Sequence, residues 1–174
     1  MTSEFRVRLE KDYLIFSAAH FITFAGNVCE RLHGHNYRVY AEVSGPLDEN
    51  YYVIDFIALR DTLKRLVDEF DHRMLLPTKH KSIHVSCSAN EVEARFEDRR
   101  WLFPAGDCLL LPLENTTAEL LARYLGERLE TALALPASAG YGLEVGVDEN
   151  AGQWGIWRRA TTLPRHNAQV PNSP

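Results

Sequence analysis

The sequence predicts an α+β domain, an antiparallel sheet with helices gathered on one face. Three observations lead there. Apolar and charged residues alternate along Phe5 to Glu10 and along Asn36 to Val43, the period-2 pattern of half-buried strands. Two longer stretches, Phe56 to Phe70 and Leu120 to Leu129, place apolar residues at helical spacing. The order is strand-strand-helix, insert, helix-strand-strand, and strands that come as adjacent pairs favour antiparallel pairing.

Phe5, Val7 and Leu9 alternate with Arg6, Arg8 and Glu10, and the apolar run Tyr13 to Ala19 continues that sheet. From His33 onward Tyr37, Val39, Ala41 and Val43 share one side of a strand that Ser44-Gly45-Pro46 closes. Asp55 is an N-cap for a first helix whose apolar stripe is Phe56, Leu59, Leu63, Leu66, Val67 and Phe70. That helix is expected to end near Asp71-His72, before Pro77. A second helix opens at Thr116-Thr117-Ala118-Glu119, where Thr116 and Glu119 match a capping box, and Pro136 limits it. Between the helices, about residues 82–111, Val92, Ala94 and Phe96 alternate with Glu91, Glu93 and Arg95. Glu97-Asp98-Arg99 reads as a turn and Trp101-Leu102-Phe103 as a return strand, which together make an inserted hairpin. Two late strands follow, Gly142 to Asp148 and about Trp154 to Arg159. The expected organisation is one domain over residues 1–163 and a flexible polar tail over 164–174. A small sheet of this kind keeps open edges, and pairing between subunits would cover them, so a homo-oligomer is expected.

At 174 residues, 45% hydrophobic and 25% charged, the chain has the composition of an ordinary globular domain. A net charge of -5 and the lack of a basic stripe argue against nucleic acid as a partner. No apolar run is long enough to span a bilayer, and the first ten residues lack a signal-peptide core. Cys29, Cys87 and Cys108 form no disulfide framework, so a reduced, cytoplasmic protein is expected.

The chemistry concentrates in Cys29 to Tyr37, Cys-Glu-Arg-Leu-His-Gly-His-Asn-Tyr. Side chains two apart on a strand face the same side, so His33 and His35 point at one place. A shared metal uses their neutral lone pairs and relieves the crowding of two charged rings. His20 ends the first apolar run and supplies a third imidazole. Three imidazoles with an open fourth position make a catalytic zinc site, although imidazole also suits iron, copper or nickel. Cys29 is either a fourth ligand of a structural site or a thiol left over for chemistry. Cys-x3-His-x-His is not a usual zinc-finger spacing, which favours the second. A thiol beside a bound cation has a depressed pKa and can act as a base. Asp71-His72 is either a helix-end histidine on the dipole or a carboxylate that sets the tautomer of a proton-shuttling imidazole. Glu149 is either a solvated turn carboxylate or the acceptor for a ligand with paired N–H donors.

These pieces resemble the 6-pyruvoyl-tetrahydropterin and 6-carboxytetrahydropterin synthase family. The matching segments are Phe16-Ser-Ala-Ala-His20, Cys29 to Tyr37, Val53-Ile-Asp-Phe56, Phe70-Asp-His72, Asn115-Thr-Thr-Ala-Glu119 and Val147-Asp-Glu149, in order over about residues 4–160. The resemblance implies a tunnelling fold, a four-stranded antiparallel sheet backed by two helices. It implies assembly into a hexamer or related barrel with active sites between subunits. It implies Zn2+ held by His20, His33 and His35, with Cys29 as catalytic base or acid working with Asp71 and His72. It implies Glu149 anchoring a pterin ring, with Thr117 a further substrate contact, and 7,8-dihydroneopterin triphosphate as substrate. The short Cys-x3-His-Gly-His spacing resembles the branch that forms 6-carboxytetrahydropterin, acetaldehyde and triphosphate on the route to queuosine. The pyruvoyl-forming branch, or a pterin- and zinc-binding relative without catalysis, are the alternatives. A folate branch places glutamate where Cys29 stands. The insert is longer than in the compact bacterial type, and Thr116 stands where proline is frequent.

Overall fold

The computed structural model describes residues 5–135 and 140–159, so the tail expected over 164–174 and the helix stop at Pro136 lie outside the described residues. The main sheet is built on one long strand pair, β1 (Phe5–His20) and β4 (His33–Gly45). Between them a short hairpin joins β2 (Thr23–Phe24) to β3 (Val28–Cys29). The β1–β4 ladder shifts register between Glu10 and Ile15. That irregularity reverses which parity faces inward. Leu9 is buried before it, while Leu14, Phe16, Ala18 and His20 are buried after it. Opposite them Tyr37, Val39, Ala41 and Val43 fill the same face, and Phe16 stacks on Tyr37 with centroids 4.6 Å apart.

Helix α1 (Phe56–Asp68) starts where Asp55 accepts the Ile57 N–H at 2.7 Å, as a cap residue should. It buries Leu59, Leu63, Leu66 and Val67 against the sheet, while Phe56, expected in the stripe, is 52% exposed. The helix stops three residues sooner than the pattern implies, because the chain turns at Asp71-His72 and enters a strand. That strand, β5 (Arg73–Pro77), and β9 (Cys108–Leu111) extend the sheet in parallel. With β10 (Gly142–Asp148) and β11 (Trp154–Arg159) on the other side, the order is β11-β10-β4-β1-β5-β9. The expected four antiparallel strands are thus β11, β10, β4 and β1, inside a mixed sheet of six.

The insert is also larger than a hairpin. It forms a three-stranded sheet of β6 (His84–Cys87), β7 (Glu91–Phe96) and β8 (Arg99–Pro104), and a 3-10 turn at Ala105–Asp107 leads into β9. Val92, Ala94 and Phe96 pack with Phe21, Met74, Leu76 and Ile83 in a second apolar cluster. Alternate residues of β5 therefore serve two cores, Leu75 the helix side and Met74 and Leu76 the insert side. A strand covered on both faces reads as a continuous apolar run, which explains why period-2 alternation did not reveal it.

Helix α2 (Ala118–Ala132) lies across β10 and β11 and buries Leu121, Leu125 and Leu129. A Cβ at Gly155 would collide with the backbone of Ala118 and Glu119, so this glycine lets the start of α2 rest directly on β11. The capping box expected from Thr116 and Glu119 does not form. Thr117 is the N-cap, and the buried Thr116 instead donates its hydroxyl to the Phe21 carbonyl at 3.3 Å. The helices are tied by Arg128 of α2, which grips Glu69 at the end of α1 through two bonds of 2.6 and 2.9 Å.

Leu63 is fully buried between α1 and the sheet. Leu63→Ala is expected to lower unfolding free energy by about 2–5 kcal/mol, read from the urea midpoint at unchanged m-value.

Candidate metal centre and its flanks

The β1–β4 register sets His20 directly across from His33, with His35 two residues along on the same face. One ligand nitrogen from each of the three imidazoles lies within 4.8 Å of the other two. The rings are tilted, with centroids 4.7 Å apart for His20–His33 and His33–His35 and 5.3 Å for His20–His35.

Backbone carbonyls decide how two rings are protonated. His20 Nδ1 lies 2.9 Å from the Thr116 oxygen, and His33 Nδ1 lies 2.8 Å from the Arg31 oxygen. A carbonyl only accepts, so each Nδ1 carries the proton and each Nε2 keeps a lone pair. Nε2 of His20 and of His35 are buried without a hydrogen-bond partner. Converging lone pairs away from water are costly unless a cation receives them. Three imidazoles, two of them oriented from behind by carbonyls, match the donor set of a zinc site with an open position, so these residues fit the metal.

Glu149 sits against the same cluster. Its Oε1 is 3.1 Å from His20 Nε2 and 3.7 Å from His35 Nε2. With the His20 proton on Nδ1 the shorter approach sets lone pair against lone pair, which a proton or cation between them would make favourable. When His20 Nε2 also carries a proton, its hydrogen bond outweighs burial and holds the Glu149 carboxyl below the usual glutamate range. Burial, with His20 and His33 alongside, pushes the His35 imidazole down against the pull of Glu149. Tyr37, fully buried on the same face two residues past His35, has its hydroxyl pushed far up by burial and by Glu149.

Two hollows flank the cluster. A cavity of about 340 Å3 is walled by Thr117, Glu149, Ile22, Gln153 and Trp154. It brings together the two side chains expected to contact substrate, and Thr117 makes no side-chain cap bond that would engage its hydroxyl. Asp148 holds this wall in place. Its buried carboxylate accepts from Arg38 Nε at 3.0 Å and from the Gln153 N–H at 2.9 Å, which fixes the β10–β11 turn. On the other side a cleft of about 480 Å3 runs between His35, Gly34, Asn36, Ser17 and His72.

Asp71 and His72 form a pair at the turn into β5. The Asp71 carboxylate accepts the Ser17 N–H at 2.8 Å and lies 2.9 Å from His72 Nδ1, while the His72 N–H donates to the Ser17 carbonyl at 2.7 Å. Backbone φ at His72 is +56°, in the left-handed region. The bond from Ser17 outweighs burial and holds the Asp71 carboxyl below the usual range. The carboxylate thus orients the ring, and the His72 side chain stays 83% exposed.

Cys29 is half-buried at the end of β3 and is a wall of neither hollow. Burial pushes its thiol up; Arg99 pulls it down, while Glu30 and Glu97 push it further up. The depressed thiol expected beside a cation is therefore not produced by the protein's own groups. Cys87 is exposed in the insert, and Cys108 packs at the second cluster.

Sequence reasoning missed Tyr37, Thr116, Asp148 and Arg99. Tyr37 was legible as the next same-side residue after His33 and His35. The other three act through contacts distant in sequence, and no local pattern marks them.

The Asp71–Ser17 bond yields a pH prediction. A carboxyl held lower when folded adds stability that is complete above its ordinary value, about 4, and is lost as pH falls through the folded value. The wild-type advantage in urea midpoint over Asp71→Asn is expected at about pH 6 and should vanish once the carboxyl protonates.

A family model described as 6-pyruvoyl tetrahydropterin synthase matches residues 10–160. A relative from Methanocaldococcus jannaschii, provisionally named 6-carboxy-5,6,7,8-tetrahydropterin synthase, is 32% identical over 148 residues, covering 84% of this chain and 90% of that one. The Haemophilus influenzae 6-carboxy-5,6,7,8-tetrahydropterin synthase is 26% identical over 121 residues, covering 66% and 77%. Among solved structures, the 6-pyruvoyl tetrahydropterin synthase of Plasmodium vivax superposes with a TM-score of 0.84 at 28% identity, covering 91% of this chain and 99% of that one. With the match spanning nearly all of the sheet and both helices, the chain belongs to the 6-pyruvoyl tetrahydropterin synthase family.

Proposed function

We propose that this protein is a zinc-dependent 6-carboxy-5,6,7,8-tetrahydropterin synthase. It converts 7,8-dihydroneopterin triphosphate and one water to 6-carboxytetrahydropterin, acetaldehyde and triphosphate. The observation that carries this reading is the convergence of three imidazole nitrogens between the Thr117–Glu149 cavity and the His35–His72 cleft. The carboxy branch is favoured by the short Cys29-x3-His33-Gly-His35 spacing and by the names of relatives in archaea and bacteria.

His20, His33 and His35 would hold the metal, which when bound supplies Lewis-acid polarisation of the substrate side-chain hydroxyls. Cys29 removes a proton from the side chain as thiolate, with Arg99 offsetting part of the burial that holds the thiol up. His72, oriented through Nδ1 by Asp71, gives or takes the second proton from Nε2. Glu149 accepts paired N–H donors of the pterin ring in the cavity it shares with Thr117. Proton migration reduces the ring as the side chain is oxidised, so the reaction needs no nicotinamide. The exposure of His72 in a single chain suits a site completed by a neighbouring subunit in a homo-oligomeric barrel.

The second reading is triphosphate elimination to a pyruvoyl product, favoured by the close superposition on the Plasmodium enzymes. Incubating zinc-loaded protein with dihydroneopterin triphosphate and weighing the products separates the two. Acetaldehyde with a 6-carboxy pterin is expected, whereas a pyruvoyl pterin or glycolaldehyde contradicts the proposal. Cys29→Ala is expected to keep stoichiometric zinc and lose turnover. Loss of zinc from that variant would make the thiol a ligand.

A further inference from the structure

The insert reaches the segment that carries Cys29. Arg99, the first residue of β8, donates Nη1 to the Cys29 carbonyl at 2.8 Å and Nη2 to the Glu30 carbonyl at 2.7 Å. One guanidinium thus grips two successive carbonyls, a planar fork that lysine cannot reproduce. Its other support is aromatic. The guanidinium carbon lies 4.6 Å from the centre of the Trp101 ring, and Trp101 stacks on Phe21 with centroids 4.4 Å apart and planes 19° apart. Phe21 directly follows His20, and its carbonyl receives the Thr116 hydroxyl. The insert sheet itself is anchored by the buried Val92, Ala94 and Phe96.

The rest of that segment is tied through Thr23, whose carbonyl accepts from Asn115 Nδ2 at 3.0 Å and whose hydroxyl lies 2.7 Å from His80 Nε2. Cys29 packs on the second apolar cluster, while Arg99 reaches the Cys29 and Glu30 carbonyls. The β2–β3 hairpin has only two residue pairs, Thr23–Cys29 and Phe24–Val28. Phe24 and Val28 are exposed, and Ala25 and Gly26 take positive φ at the turn. A short hairpin with an exposed tip is held weakly by its own contacts. Hydrogen bonds from Glu30 N–H to the Ile22 carbonyl at 2.9 Å and from Arg99 close its base.

We propose that Arg99 is a positioning residue for Cys29, so that the insert between the helices is part of the catalytic apparatus and not an appended edge. This rests on Cys29 being the proton-moving group. The fork fixes the Cys29–Glu30 backbone, and so the place from which the thiol meets substrate. The positive charge also faces the thiol among its charged neighbours, Glu30 on its own segment and Glu97 on the insert turn.

The test uses full-length, zinc-loaded protein in a Cys87→Ser, Cys108→Ser background, so that alkylation reports Cys29. Arg99→Met is expected to keep zinc content and cooperative unfolding while kcat on dihydroneopterin triphosphate falls about 10- to 100-fold. KM should stay within about twofold, and the iodoacetamide profile of Cys29 should move to higher pH. Arg99→Lys should recover part of both losses, because it restores charge and one donor. An Arg99→Met protein with wild-type kcat and alkylation profile overturns the proposal. So does equal damage from methionine and lysine with lost unfolding cooperativity, which marks a merely structural role. If methionine prevents folding, a folded Arg99→Lys protein identical to wild type in kcat and profile overturns it. Alkylation is measured without turnover, so absent wild-type activity with an Arg99-dependent profile would fault the assigned reaction and leave the positioning intact.

Discussion

A slip of one residue between β1 and β4 would turn Leu14, Phe16, Ala18 and His20 away from the helices together. The apolar side chains of that face therefore lock the register, and the register places His20 across from His33. The metal-binding geometry is thus a by-product of core burial. The three imidazoles stand in the same inward row as Phe16 and Tyr37, at the end of the sheet where that row runs out of hydrophobic partners. Covering this end is the task of the segment before α2, whose Thr116 carbonyl receives the His20 proton. Gly155 allows that segment to sit so low on the sheet.

The same constraint divides the site into parts that differ in rigidity. His20, Thr116, Tyr37 and Asp148 are buried and hydrogen-bonded or packed from several elements. Cys29 and His72 lie on short connecting segments, each held by a few specific bonds. His72 is held by the Ser17 backbone and Asp71, and the Cys29 segment by Arg99. In the proposed function this division would put the metal ligands on rigid strands and the proton-moving groups on tethered segments.

Much of this was legible in the sequence wherever one face of an element meets water. The alternation of β4, the Asp55 cap, the stripes of both helices and the late strands β10 and β11 all carry local periodicity. Strand β5 was hidden because both its faces are covered, which erases alternation, and β9 because its four residues are apolar throughout although Leu110 is exposed. The extent of α1 was overestimated because Phe70 continues its stripe after the chain has begun to turn. Among the site residues, the histidine triplet is visible because strand parity is a local rule. The roles of Thr116 and Arg99 depend on contacts 96 and 70 residues away in sequence. Thr116 resembles a helix cap and Arg99 a turn residue, and local propensity could not separate those readings from the tertiary ones.

In the proposed enzyme His20, His33 and His35 hold the metal while Cys29 stays off it, free to move protons. X-ray absorption at the zinc edge of the loaded protein tests this most directly, since sulfur and nitrogen ligands differ in distance. A first shell of nitrogen and oxygen alone, at about 2.0–2.1 Å, is the expected result. A sulfur shell at about 2.3 Å would place Cys29 on the metal and contradict the account.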